Sequence, residues 1–144
     1  MPRKRTVVIA LLIAFVVSIV HYVDNTVNYD HYPQGDALGL PPPPMAAIVA
    51  AWIIFTAFGV LGLRLLLRGQ GKPAAWLFGL YAGSGLIGVG HYLVEGATDM
   101  VWWRQLHVCA DIACGIVILL IAIRLGRTSP CTRRTSSANR NASV

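Results

Sequence analysis

Four long apolar segments constrain this chain more than any other feature of its sequence. They run near residues 6–23, 45–67, 74–94 and 101–125, and few charged residues lie inside them. Each is long enough to cross about 30 Å of hydrocarbon at about 1.5 Å of rise per helical residue. With 56% apolar and only 12% charged residues, the chain is predicted to be one all-α membrane domain rather than a soluble globule.

The charged residues divide between the two ends of these segments. All the acidic residues and histidines fall on one side, and the Lys and Arg residues fall on the other, with Arg104 the single exception. Because Lys and Arg accumulate on the cytoplasmic side, we predict an up-down four-helix transmembrane bundle with N- and C-termini in the cytoplasm. The expected location is the cell membrane, as a multi-pass integral protein.

The partners follow from the same distribution. The net charge of +6 is explained by contact between the basic residues and anionic lipid headgroups, so the expected partner is the lipid bilayer and not nucleic acid. A homo-oligomer or a larger membrane complex stays open. We assign residues 1–126 to the four-span domain. Residues 127–144, rich in Arg, Ser, Thr and Asn, are expected to form a disordered basic cytoplasmic tail.

The third segment is rich in glycine, which favours close helix packing. Gly79 with Gly83, and Ser84 with Gly88, are pairs of small residues four apart. Such faces let helices approach closely in lipid, where packing drives association. We therefore predict a helix-packing face; a groove for a flat ligand or a contact with a second copy is the alternative.

Polar residues recur at helical spacing near the outer ends of three segments. Steps of three and four residues keep each set on one helix face, and the helical rise places all the sets at one level. An ionised Asp facing lipid near mid-depth costs about 2.5 kcal/mol or more, so such groups should face inward and have a partner. The ionisable members are His21 and Asp24, the pair His91 and Glu95, and the pair His107 and Asp111.

This combination suits a transition metal. Helical bundles build metal sites from His and carboxylate side chains on neighbouring helices, and imidazole favours zinc, copper or iron over calcium or magnesium. The spacing resembles that of copper-binding membrane subunits over two short segments, and no residue role is carried over from them. We predict that a Zn, Cu or Fe ion is bound by His21, Asp24, His91, Glu95, His107 and Asp111.

Two alternatives stay open. The polar groups can form a hydrogen-bonded lock between helices, which would make the protein a non-catalytic structural or accessory subunit. A single haem with His91 and His107 as axial ligands is the weaker alternative, since the Cys-x-x-Cys-His attachment signature is absent. A bound metal could also activate water or oxygen. The sequence does not decide whether the protein is an enzyme, and no catalytic residue is assigned.

The first outer loop and Arg104 lie beside this cluster. His31, Tyr32 and Pro33 are expected either to fold over the site as a lid or to form a solvated turn. Arg104 is expected to neutralise Glu95 or Asp99, or to contact a headgroup.

Overall fold

The protein is all-helical throughout the part of the chain that its structure, a computed structural model, describes. These residues are 3–33 and 41–128. Within them, four helical segments are long and apolar enough to cross a membrane, which confirms the four predicted segments. The third of these segments includes a helical extension that reaches Leu93. The long α-helices are α1 (Lys4–Val27), α2 (Met45–Leu67), α3 (Gly71–Leu86) and α4 (Trp102–Thr128).

The helix ends agree with the predicted segments at α2 and differ elsewhere. α1 continues to Val27, so that Asp24 and Asn25 lie on the helix rather than in the following loop. α4 continues to Thr128, past the predicted domain boundary at residue 126. The rest of the predicted tail lies outside the described residues and stays a prediction.

The bundle is held by contacts between sequential helices and by a contact between its first and last helices. α3 packs against α2 and α4, and α1 packs against α4 and α2. α3 is the most enclosed of the four and α2 the least, because small residues let α3 approach its neighbours closely. Away from the histidines, an apolar core includes Val7, Leu11, Phe78, Ile118 and Leu125.

The closest approach is between α3 and α4, at Gly85 and Gly115. A Cβ atom on Gly85 would overlap the carbonyl oxygen of Asp111, and one on Gly115 would lie 2.9 Å from the carbonyl oxygen of Ala82. The predicted packing role of glycine in this helix is therefore found at Gly85. At Gly79, a member of the predicted pairs, an added Cβ would have nothing within 4 Å.

α3 ends at Leu86 and the chain continues as a 3₁₀ segment, Ile87–Leu93. Gly88 and Gly90 disfavour an α-helix there. A 3₁₀ helix has three residues per turn instead of 3.6, so the predicted one-turn alignment of His91 with Glu95 does not arise. Glu95 instead lies exposed in the turn that follows.

Candidate functional site

Three histidines come together at one end of the bundle. His21 is on α1, His91 is in the 3₁₀ segment, and His107 is near the start of α4. The ring centroid of His21 is 5.6 Å from that of His91 and 5.5 Å from that of His107. The sequence prediction that these side chains share one level is consistent with this arrangement. We call this end of the bundle the polar end.

His21 is paired with Asp111 across the contact between α1 and α4. Its Nδ1 atom is 2.8 Å from Oδ2 of Asp111, and both side chains are 3% exposed. The inward-facing carboxylate of Asp111 therefore has a partner, as predicted. This partner is His21 on α1, and not His107, which lies on the same helix as Asp111. The other ring nitrogen of His21, Nε2, is buried without a hydrogen-bond partner in the described part of the chain.

Asp24 accepts hydrogen bonds from three side chains. Arg104 Nε donates to Oδ2 at 2.9 Å and the Tyr32 hydroxyl donates to the same oxygen at 2.7 Å. Asn28 Nδ2 donates to Oδ1 at 2.7 Å. His107 Nε2 is 3.3 Å from Oδ2, an ion-pair contact when the ring is protonated, although neither ring nitrogen of His107 makes a hydrogen bond within the described residues. Asp24 therefore has little remaining capacity to bind a metal.

Arg104 is buried between α1, α4 and the first loop. Its guanidinium carbon lies 5.1 Å from the ring centroid of Tyr32 and 4.9 Å from that of Trp103. Its Nη1 atom also donates to the carbonyl oxygen of His31 at 3.4 Å. The expectation that Arg104 neutralises Glu95 or Asp99 is wrong, since its carboxylate partner is Asp24.

The loop after α1 folds back over the polar end. After the 3₁₀ turn Tyr29–His31, Tyr32 is 3% exposed and packs with Met100. Its ring centroid is 5.0 Å from that of His91. Burial raises the pKa of the Tyr32 phenol, and the hydrogen bond to Asp24 raises it further. The phenol therefore stays protonated near neutral pH and remains a donor to Asp24.

His91 has a polar neighbour on α1 and none on its own segment. Asn25 Nδ2 is 3.4 Å from Nε2 of His91. Because an amide nitrogen only donates, Nε2 accepts and the ring hydrogen of a neutral His91 lies on Nδ1. Glu95 makes no hydrogen bond or ion pair with any described residue. The structure thus brings five of the six predicted ligand residues together and leaves Glu95 apart.

A cavity of about 540 Å³ lies beside His21 and His91, between α1, α2 and the 3₁₀ segment. Its walls are mostly apolar or aromatic. The sequence analysis kept a groove for a flat ligand at the glycines of this segment only as an alternative, and it did not predict a cavity against α2. The alanines four apart on α2, Ala47 and Ala51, which line the cavity, were the available signal. The lining includes His21, Asn25, Tyr29, Tyr32, Ala47, Ala51, Gly88 and His91.

The predicted metal site has no support in this arrangement. In residues 3–33 and 41–128, no group of three or more His, Cys, Asp or Glu side chains is placed to hold a metal ion. The carboxylate of Asp111 lies behind the His21 ring, and that of Asp24 is occupied by three donors. A Zn, Cu or Fe site stays a prediction from the sequence.

The fold and the site together define a class: a small four-helix membrane protein with a buried His–carboxylate cluster beside an apolar cavity. Comparisons of the chain with protein-family models, with curated proteins and with solved structures give no match. The functional argument therefore rests on the geometry of the polar end.

Proposed function

We propose that this protein binds a small, largely apolar ligand from the lipid phase in the cavity at the polar end. The polar group of the ligand is held by His21 and His91. The observation that carries the proposal is a cavity of about 540 Å³ with mostly apolar walls that meets two imidazole rings. Ligand sites typically have volumes of roughly 300–1,000 Å³, hydrophobic walls and a few convergent polar groups.

An unpartnered ring nitrogen favours a ligand over a purely structural cluster. Buried polar groups in proteins are nearly always hydrogen-bonded. Yet Nε2 of His21, a residue that lines the cavity, has no such partner in the described ranges. The carboxylate of Asp24, by contrast, is fully engaged. We assign the Asp24 contacts, including the one with His107, to a lock between α1, the first loop and α4. We assign His21 and His91, which line the cavity, to binding.

The orientation of the bundle follows from its charges. In the sequence, nearly all the Lys and Arg residues fall near the ends of the apolar segments opposite to the histidines, and such residues are retained in the cytoplasm. We propose an up-down bundle with both termini cytoplasmic and the cavity near the outer face of the cell membrane. A ligand that partitions into the outer leaflet would then reach the site without crossing the bilayer.

The test is a titration of 4-hexylphenol, which has an apolar body and one polar group, into the protein in lipid nanodiscs. Ala51 lines the cavity, whereas Ala50 is exposed and does not. Saturable binding should occur with the wild type and with Ala50→Trp and be lost with Ala51→Trp, whose indole fills the cavity. Partition into empty nanodiscs is subtracted. Equal binding by the two variants, or none by the wild type, refutes the proposal.

A transition metal, as predicted from the sequence, is the second candidate. Two imidazole rings lie within 5.6 Å of the His21 ring, although no three His, Cys, Asp or Glu side chains of the described residues are placed to hold an ion. The ligands would be His21, His91 and His107, and Asp111 would orient His21 from behind, as carboxylates commonly do for metal-bound His. Elemental analysis and an optical spectrum of the purified protein test this candidate and also the haem alternative. A protein without metal, whose melting temperature does not change with added zinc or copper, excludes metal binding, since a bound ion stabilises the fold.

A further inference from the structure

We infer that the polar group of the ligand is a hydroxyl, placed between the rings of His21 and His91, and that the ligand is a phenol. This inference rests on the proposed function and adds the chemical class of the ligand. It is carried by the surroundings of one atom, Nε2 of His21, and by the tautomers that the neighbouring side chains impose.

Nε2 of His21 is a buried hydrogen-bonding atom of a residue that lines the cavity. The side chain is 3% exposed, its ring lines the cavity, and Nε2 has no partner in the described structure. Gly88 is opposite: a Cβ there would lie 3.6 Å from Cε1 of His21, the carbon bonded to Nε2. The same Cβ would lie 3.1 Å from Cγ1 of Ile112, so a side chain at residue 88 would crowd the wall of the cavity beside the His21 ring.

The hydrogen bond between His21 and Asp111 determines whether Nε2 of His21 acts as a donor or as an acceptor. A carboxylate only accepts, so Nδ1 carries the hydrogen that it donates to Asp111 at 2.8 Å. In the neutral ring, Nε2 is then an acceptor and requires a donor, which a carbonyl or an ether cannot supply. In the charged ring, Nε2 is a donor and requires an acceptor. A hydroxyl supplies both.

His91 can donate a hydrogen bond to the same hydroxyl. Its Nε2 accepts from Asn25, so the hydrogen of the neutral ring is on Nδ1 and available for donation. The two ring centroids are 5.6 Å apart. This separation accommodates one oxygen atom at about 2.8 Å from a nitrogen of each ring, with a bent arrangement around the oxygen. One hydroxyl can thus donate to His21 and accept from His91.

The walls favour an aromatic body for the ligand. Tyr29 and Tyr32 line the cavity from the loop after α1, and the prolines 41–43 line it ahead of α2. Flat aromatic faces and rigid rings pack well against another ring. Ala51 and Gly88 leave the depth that such a ring requires.

The experiment compares 4-hexylphenol with 4-hexylanisole, in which a methyl group replaces the hydroxyl hydrogen, and with hexylbenzene. Affinities are measured in nanodiscs and corrected for partition into lipid. The wild type should prefer the phenol over the anisole by about tenfold, as expected for one buried hydrogen bond. His21→Phe keeps a ring of similar size without nitrogens and should abolish the preference. His31→Phe is the matched control, because His31 is exposed and does not line the cavity.

The ratio of affinities separates this inference from the proposed function. Equal binding of phenol and anisole to the wild type, or a preference that survives in His21→Phe, refutes the hydroxyl and leaves the cavity site standing. If none of the three compounds binds saturably, both the cavity site and the hydroxyl are refuted. A variant that loses its fold is recognised because it loses affinity for all three compounds and loses its helical circular dichroism. The ratio of phenol affinity to anisole affinity is also measured in Asn25→Ala, which frees Nε2 of His91.

Discussion

His21 Nδ1 and Asp111 Oδ2 lie 2.8 Å apart although ninety residues separate them in the chain. The contact joins the first helix to the last and is almost fully enclosed. At helical spacing, Asp111 had His107 as a candidate partner. In the folded bundle its partner is His21 instead. The pair determines which nitrogen of His21 remains available, so it links the assembly of the bundle to the chemistry of the polar end.

Loss of Asp111 should destabilise the protein in a way that depends on the replacement. Asp111→Leu leaves Nδ1 of His21 unpaired and should lower the free energy of unfolding by about 1–3 kcal/mol. Asp111→Lys places an unpaired cation beside His21 and should cost more. Unfolding in mixed detergent micelles, followed by circular dichroism, measures both changes.

A double-mutant cycle checks the same pair. His21→Phe combined with Asp111→Leu removes both polar partners and should cost less than the sum of the single changes. Asp99 is exposed, so Asp99→Leu should have little effect and serves as the control. Wild-type stability in both Asp111→Leu and Asp111→Lys would show that no buried pair exists.

Arg104 should not be replaceable by lysine. Its guanidinium donates to Asp24 while lying against the rings of Tyr32 and Trp103, and an ammonium group lacks this planar geometry. Arg104→Met leaves the Asp24 carboxylate without its cation and should lower stability by about 3 kcal/mol. Arg104→Lys should recover only part of this loss. Thermal melts measure the series, and Arg68→Met, at an exposed position, should behave like the wild type.

Tyr32 should make stability fall at alkaline pH. Burial raises its pKa in the folded protein above the ordinary value near 10. Its contribution is therefore fully present below about pH 10 and is lost as the pH rises further, because the unfolded chain ionises first. Tyr32→Phe should reduce stability at pH 7 by about 1 kcal/mol and lack this alkaline loss. Melts from pH 7 to 11 test this, and a difference between the two proteins that does not vary with pH contradicts it.

Two glycines of α3 should respond oppositely to the same substitution. Gly85→Ala introduces a Cβ that overlaps the Asp111 carbonyl oxygen, and because a backbone atom cannot move aside, the α3–α4 contact should be lost. Gly79→Ala meets nothing within 4 Å and should be neutral or stabilising by up to about 1 kcal/mol, since alanine favours a helix. Yield of folded protein and melting temperature distinguish the two outcomes. Equal tolerance of both changes argues against the close helix contact.

Reporter fusions test the proposed orientation. A reporter active only in the cytoplasm should give signal when fused after Val144 or after Gly71, and none when inserted within 36–40. The reason is that Lys and Arg mark the cytoplasmic side. Signal from the insertion would place the cavity at the cytoplasmic face.

Helix positions could be predicted from the sequence because hydrocarbon thickness sets their length. The bounds of α2 agree with the prediction, and the common level of His21, His91 and His107 followed from helical rise alone. The pairing could not be predicted, because it depends on how each helix is rotated about its axis. Asp111 therefore meets His21 rather than His107, and Asp24 meets Arg104.

The change of helix type in the third segment was also not predicted, although Gly88 and Gly90 disfavour an α-helix there. The one-turn spacing of His91 and Glu95 holds only in an α-helix, and the 3₁₀ segment removes it. The importance of Gly85 over Gly79 likewise depends on which face meets α4. The second outcome is decided by contacts between helices, which the spacing of residues within one helix does not contain.

The change from α to 3₁₀ helix after Leu86 divides one membrane segment into two regions with separate tasks. In the 3₁₀ part, residues three apart lie above one another, so that Ile87 with Gly90, and Gly88 with His91, line the cavity as rows. In the α-helical part, Gly85 sets the distance to α4. Substitutions at Gly90, which lines the cavity and where an added Cβ meets no described residue within 4 Å, can therefore alter the shape and chemistry of the cavity without disturbing the contact with α4.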